Sequence, residues 1–273
     1  MSEAAVVPTD IGQFDAGLTE HVVGLTRPIV KNYFRSEVRG LDNIPAGPCL
    51  VVGNHSGGLL TPDMSVFAVD YYDRFGYARP LYTLAHDMLF NTPAADLLKR
   101  TGVIRATREN AAAALASGAV VMVFPGGDHE VYRPTLRRNK IAFGGRTGYV
   151  TTALEAGVPI VPAVSVGGQE TQLYLARGEW LSRLLGLTKL ERKIGRSTIL
   201  PITFGFPFGL SVLTVPVNMP LPTKIVTQVL PPIDSLTLFG DTPDVAAVDR
   251  HVRWVMQSTL DELGHRRRLP IVG

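Results

Sequence analysis

Ile11, Phe14, Leu18, Val22, Leu25, Ile29 and Tyr33 recur at intervals of three and four. That spacing lines one face of an α-helix and predicts a first helix here, bent at Pro28, where the ring removes a backbone donor. Such a stripe serves a core or lies in the plane of a lipid interface. Shorter apolar runs follow. YFRSEVRGLDNIP reads as a strand and turn, PCLVVGN as a buried strand, and Leu81 to Ala85 as a weaker strand. Asp96 to Arg100 reads as helix, Gly102 to Arg105 as extended and Glu109 to Ala116 as helix. AVVMVFP is a buried strand, Thr147 to Ala156 a helix stopped by Gly157, and VPIVPAVSV a further strand. KIVTQVL is a late strand. Thr242 and Pro243 predict the cap and first position of a last helix whose apolar face is Val245, Val248, Val252, Val255, Met256, Leu260 and Leu263.

Strands alternating with helices predict an α/β fold, a mixed, largely parallel central sheet flanked by helices, with helical additions at both ends. No linker divides the chain, so residues 1–273 are expected to form one domain: an N-terminal helical segment (1–36), a central part (49–168), and a C-terminal segment with its helix (169–273).

Hydrophobic residues make up 45% of the chain and charged residues 19%, fewer charges than the ~25% usual in soluble domains. Much of the excess lies in Ser197 to Thr223, which has no charged residue but is broken by Pro201, Pro207, Pro216, Pro220 and Pro222. A lipid-exposed spanning helix could not survive that many lost hydrogen bonds. ITFGF and SVLTVPV therefore predict short strands, either partly buried or dipping into a lipid surface. MSEAAVVPTD has neither a basic nor an apolar leader region, so no signal peptide is expected. The single cysteine, Cys49, excludes a disulfide framework and sits within a strand pattern, as a core residue would.

The net charge is only +3, and no basic run is interleaved with aromatics, which argues against nucleic acid as a partner. The distribution is more telling. Arg133, Arg137, Arg138, Lys140 and Arg146 fall in an acid-free stretch from Val131 to Leu154. Arg177, Arg183, Lys189, Arg192, Lys193 and Arg196 face only Glu179 and Glu191. Patches of this kind suit phosphate groups or an anionic membrane surface, or are simply solvated faces.

The chemistry-bearing residues follow strands. GNHSGGLLTPD places His55 at the carboxyl end of a buried run, where open α/β sheets build sites. Asp63 could fold back to accept the Nδ1 hydrogen of His55, leaving Nε2 as a general base. VFPGGDHE opens a second strand into Gly126 and Gly127, whose amides could cradle an anion, with Glu130 close behind. GVIRATREN sets Arg105 and Arg108 at a strand–helix junction, suited to a phosphate or to a salt bridge with Glu109 or Asp96.

Taken in order, these segments resemble the phospholipid/glycerol acyltransferase (lysophospholipid acyltransferase) family over roughly Cys49 to Gly168. Its first motif, a His followed by four residues and an Asp, is similar to His55 with Asp63, here separated by seven residues. Its Gly-to-Arg motif resembles Gly102 to Arg108, and its Phe-Pro-Glu-Gly motif resembles Phe124-Pro125-Gly126-Gly127. Its Val-Pro-Ile-Val-Pro strand matches Val158 to Pro162. The Pro-Gly-Gly form and the lengthened first motif look like the branch that includes diacylglycerol acyltransferase-like proteins.

The resemblance implies a glycerol-3-phosphate acyltransferase-like fold and acyl transfer from acyl-CoA or acyl carrier protein to a glycerol hydroxyl. The implied acceptor is a lysophospholipid such as 1-acyl-sn-glycerol-3-phosphate, or else a neutral glyceride. His55 and Asp63 are then the catalytic pair, Arg105, Arg108 and Arg146 phosphate ligands, and Gly126, Gly127 and Glu130 the oxyanion or phosphate loop. The uncharged stretch and the N-terminal stripe would form an acyl groove. No metal or cofactor is implied, and the protein would sit peripherally on the cytoplasmic face of a membrane. Two rivals remain: a serine hydrolase using Ser56, though GxSxG is absent around it, and a lipid-binding protein without catalysis.

Overall fold

The computed structural model describes residues 10–184, 199–212, 217–267 and 269. Lys189, Arg192, Lys193, Arg196 and most of the SVLTVPV segment lie outside these residues. In chain order the elements are α1 (Ala16–Pro28), β1 (Glu37–Arg39), β2 (Cys49–Gly53), α2 (Pro62–Phe75), β3 (Leu81–Ala85), α3 (Ala95–Arg100), β4 (Val103–Arg105), α4 (Arg108–Ala116), β5 (Val120–Val123), α5 (Gly127–Val131), α6 (Gly148–Ala156), β6 (Ile160–Val166), β7 (Leu173–Ala176), α7 (Glu179–Leu184), β8 (Ile202–Gly205), β9 (Gly209–Ser211), β10 (Val226–Val229), α8 (Ser235–Phe239) and α9 (Val245–Arg266).

The main sheet has seven strands in the order β1-β10-β6-β2-β5-β3-β4, with every neighbouring pair parallel except β10 and β6. This is the mixed, largely parallel sheet that the alternation of elements predicts. All of β2 is buried, and its residues alternate between two cores. Leu50 and Val52 join the core under α4, α6 and α9, whereas Cys49 and Val51 join the core under α1 and α2. A strand covered on both faces reads as a continuous apolar run, which is what CLVV is. Burial pushes the Cys49 thiol up to about 12, so it is a core residue and not a nucleophile.

A second sheet of three antiparallel strands, β7-β8-β9, stands beside the first. The periodicity reading contains neither β7 nor a helix over residues 62–75. Two predicted boundaries also move. The last helix begins at Val245, capped by the Asp244 carboxylate, which accepts from Ala246 and Ala247 N–H. An ionised carboxylate caps better than a threonine hydroxyl, and Pro243 falls before the helix. The N-terminal stripe does not form one helix: Asp15 caps α1 by accepting from Leu18 N–H, so Ile11 and Phe14 precede it, and a π-turn (Ile29–Tyr33) follows Pro28. The buried side of α1 is Thr19 and Val23, continued by Val30, while Leu25, Ile29 and Tyr33 are exposed.

Candidate active site

β2 is the middle strand of the sheet and runs directly into Asn54 and His55. Asn54 is fully buried and bridges to β6: its side-chain NH2 donates to Ser165 O at 2.9 Å, and its side-chain oxygen accepts from Ser165 N at 2.7 Å. The strand end is therefore fixed before His55 begins. His55 Nδ1 lies 2.9 Å from Asp63 Oδ2, and the same oxygen accepts from Ser56 N–H at 2.9 Å. Asp63 is buried, with its other oxygen taking Met64 N–H at 3.1 Å. The pairing orients the imidazole and leaves Nε2 as the ring nitrogen not held by Asp63.

The longer His-to-Asp spacing is absorbed by a 3-10 turn (Gly58–Leu60) ahead of α2, whose first residue is Pro62. Two positions make that detour feasible. Gly58 has φ +68°, and a Cβ there would lie 1.5 Å from Tyr174 Oη, so only glycine fits. Thr61 holds φ +23°, an unusual conformation for a β-branched residue, one residue from the helix start that aims Asp63.

The loop after β5 lies against this pair. The Phe124 ring stacks on the His55 imidazole with centroids 4.4 Å apart. Gly127 N–H donates to Phe124 O at 3.0 Å, so that amide is engaged in the turn and is not a free anion donor. Arg146 binds the Gly126 carbonyl at 2.7 Å and Asp128 Oδ1 at 2.7 Å. It braces the loop from outside, where the resemblance implied a phosphate ligand.

Glu130 is corrected more sharply. It is 0% exposed, so it faces the interior and not a ligand. Its two oxygens accept from His55 N–H at 2.8 Å and Ala142 N–H at 2.9 Å. Arg133, 2% exposed, donates through Nη1 to the His55 carbonyl at 2.5 Å and the Glu130 carbonyl at 2.9 Å. The two side chains lie 4.0 Å apart, one holding each side of residue 55. Burial raises the Glu130 carboxyl, opposed by the Arg133 charge and its two backbone donors; burial likewise lowers the Arg133 guanidinium, opposed by Glu130. Sequence reasoning missed Arg133 as a site residue. Its only signal was a place three residues after Glu130, which is one helical turn.

Arg105 is also committed. Its Nη1 and its backbone N–H both bond Asp10, at 2.7 and 3.1 Å, and its guanidinium lies over the Phe90 ring. The partner is Asp10, from the other end of the chain, and neither Glu109 nor Asp96. Arg108, exposed at the first position of α4, has no partner among the described residues. Ser56 Oγ is buried without a hydrogen bond and packs where a Cβ on Gly168 would be, 2.1 Å away, so it is no hydrolase nucleophile.

Fold and site together define an α/β protein that presents an oriented histidine–aspartate pair at the carboxyl edge of its central strand. Residues 35–166 match the family model Acyltransferase. The chain is 34% identical over 251 residues to an uncharacterised protein of Mycobacterium tuberculosis, covering 89% of this chain and 66% of that one. It is 27% identical over 243 residues to the bovine DGAT1/2-independent enzyme synthesizing storage lipids, covering 85% of this chain and again 66% of the relative. The chain thus spans just under two thirds of these relatives. Its fold matches the crystal structure of the 1-acyl-sn-glycerophosphate acyltransferase PlsC from Thermotoga maritima, with TM-score 0.55, 18% identity, and 92% of this chain and 83% of that one covered.

Proposed function

We propose that the protein transfers a fatty acyl group from an acyl thioester, acyl-CoA or acyl carrier protein, to a glycerol hydroxyl of a lysophospholipid, with 1-acyl-sn-glycerol-3-phosphate as the acceptor, in phospholipid biosynthesis. The observation that carries this reading is the 2.9 Å contact of His55 Nδ1 with a buried Asp63 carboxylate. His55 Nε2 takes the hydroxyl proton, and Asp63 steadies the imidazolium that results. The alkoxide oxygen bonds to the thioester carbonyl carbon, the C–S bond breaks, and the leaving thiolate takes the proton back from Nε2. No covalent enzyme intermediate and no metal or cofactor is required.

With Gly127 N–H engaged, Gly126 N–H is the loop donor we assign to the oxyanion. Arg108 is the cation we assign to the acceptor phosphate. We place the enzyme peripherally on the cytoplasmic face of a membrane; among the described residues no helix is long and apolar enough to cross one.

A second reading, a neutral glyceride acceptor, is favoured by the internal commitment of Arg105 and Arg146 and by the storage-lipid relative. Thiol release from acyl-CoA, measured with lysophosphatidate, glycerol-3-phosphate, other lysophospholipids and diacylglycerol, decides between them. Turnover with lysophosphatidate, with a KM raised about tenfold or more by Arg108→Ala, supports the first reading. Turnover only with diacylglycerol supports the second. Lipid binding without turnover of any acceptor removes both and leaves a carrier.

A further inference from the structure

The small sheet has two unlike faces. In register across its strands, Tyr174 and Thr203 turn inward and are buried. Leu173, Phe204 and Leu210 form the next row, pointing the other way, and all three are exposed. The β8–β9 turn adds Phe206, 74% exposed, and Phe208. A solvent-facing sheet side normally alternates to polar residues; this one does not. The inner side touches the dyad loop, since Tyr174 Oη fills the space beside Gly58.

This face continues into the exposed ridge of the N-terminal segment. Met219 N–H donates to Phe206 O at 2.7 Å, and one residue on, Tyr33 Oη donates to Pro220 O at 2.6 Å. Met219 and Leu221, both exposed, thereby bridge Phe206 to Tyr33, Ile29 and Leu25. Two apolar surfaces far apart in sequence form one belt. Its border on the β7 side carries Arg177, directly after β7 and 4.0 Å from Glu179, with Arg137 exposed in the neighbouring turn and Arg183 exposed on α7. Leu136, beside Arg137, is 94% exposed. Thr135, its other neighbour, is bound to Gln172 O and Tyr174 N–H, which fastens this basic turn to β7.

We propose that the outer face of β7-β8-β9, together with the Leu25–Ile29–Tyr33 ridge, is the surface by which this protein docks on an anionic lipid bilayer. Aromatic and aliphatic side chains enter the acyl boundary while arginines meet the phosphate headgroups. The choice of a bilayer as occupant rests on the proposed lipid substrate, and on the inner side of this sheet bordering the dyad loop.

The test uses the full chain and vesicles of phosphatidylglycerol and phosphatidylcholine. The chain has two tryptophans, Trp180 and Trp254. Trp254 is exposed on α9, which packs over the core on the other side of the main sheet from α1. Two single-tryptophan proteins are compared: Phe206→Trp with both native tryptophans changed to Phe, and Trp180→Phe, which keeps Trp254. The proposal predicts a blue shift and quenching by brominated lipid at position 206 and neither at 254. Equal response at both sites, or none at 206, overturns it.

A Phe204→Ser, Phe206→Ser, Leu210→Ser protein should bind vesicles at least about tenfold more weakly, yet keep the wild-type thermal unfolding midpoint. If that variant changes oligomeric state and not vesicle binding, the face is an interface between copies and the proposal fails. His55→Ala should bind vesicles as the wild type does. Wild-type protein that docks on vesicles but turns over no acceptor with any acyl thioester would refute the acyltransferase reading alone.

Discussion

At position 126 the chain has glycine where the family motif has glutamate, and the structure supplies the reason. A Cβ on Gly126 would lie 2.4 Å from Glu130 Cβ and 2.5 Å from Glu130 Oε2. The Glu130 carboxyl thus occupies the space beside residue 126, reached from one helical turn away. Restoring the usual residue by Gly126→Glu should therefore cost stability by about 2–4 kcal/mol, read as a lower Cm at unchanged m-value. Glu130→Gln should cost about 3–5 kcal/mol, because it leaves a buried Arg133 without its counter-charge. It should also lower kcat more than it raises KM, since His55 is held at both its N–H and its carbonyl by this pair. His55 and Asp63 were legible in the sequence because a buried run ending in glycines marks a strand entering a loop. The role of Glu130 was not. Only burial separates a carboxylate that meets substrate from one that holds the backbone behind it, and residue spacing carries no burial.

At the scale of elements, α1 shows how a correct period can carry a wrong phase. The three–four spacing through Leu25 and Ile29 identifies a helix, but its core side runs through Thr19 and Val23. Threonine at a buried position is invisible to an apolar template; here its hydroxyl is satisfied by the Asp15 carbonyl at 2.7 Å. Val23→Ala should destabilise by about 1–2 kcal/mol and Leu25→Ala by under about 0.5 kcal/mol, compared by thermal unfolding. Central strands were legible because both faces are buried and the apolar run is unbroken. The β7-β8-β9 sheet was only partly so, because its outward positions are apolar too and the alternation that betrays a half-buried strand is missing.

The segment leading into α1 is held by charge. Asp10 is buried against Arg105 and Lys99. Burial works to raise its carboxyl, but Arg105 N–H, the Lys99 side chain and the Arg105 charge together hold it below its usual 3.8. A depressed carboxylate stabilises the fold above its unfolded value and ceases to as pH falls through the folded one. The wild type should therefore exceed Asp10→Asn in stability near neutral pH by about 1–2 kcal/mol, and the gap should close below about pH 3.8. A gap that stays constant into acid would contradict this account of the anchor.

Across the whole molecule, two chain-distant devices converge on one edge. The middle strand of the sheet delivers His55, the Glu130–Arg133 pair fixes its peptide, and an exposed apolar belt adjoins the loop between His55 and Asp63. The fold class and the order of motifs could be read along the chain. The belt could not, because it joins residues near position 30 to residues near positions 206 and 220 through contacts that exist only after folding. The proposed chemistry turns on His55 activating a glycerol hydroxyl toward an acyl thioester. Its most direct test is steady-state thiol release from acyl-CoA with lysophosphatidate for the wild type, His55→Ala and Asp63→Asn, each confirmed folded. Wild-type turnover should fall by about 10²–10⁴-fold in both variants with KM little changed. Turnover that persists undiminished in His55→Ala would contradict it.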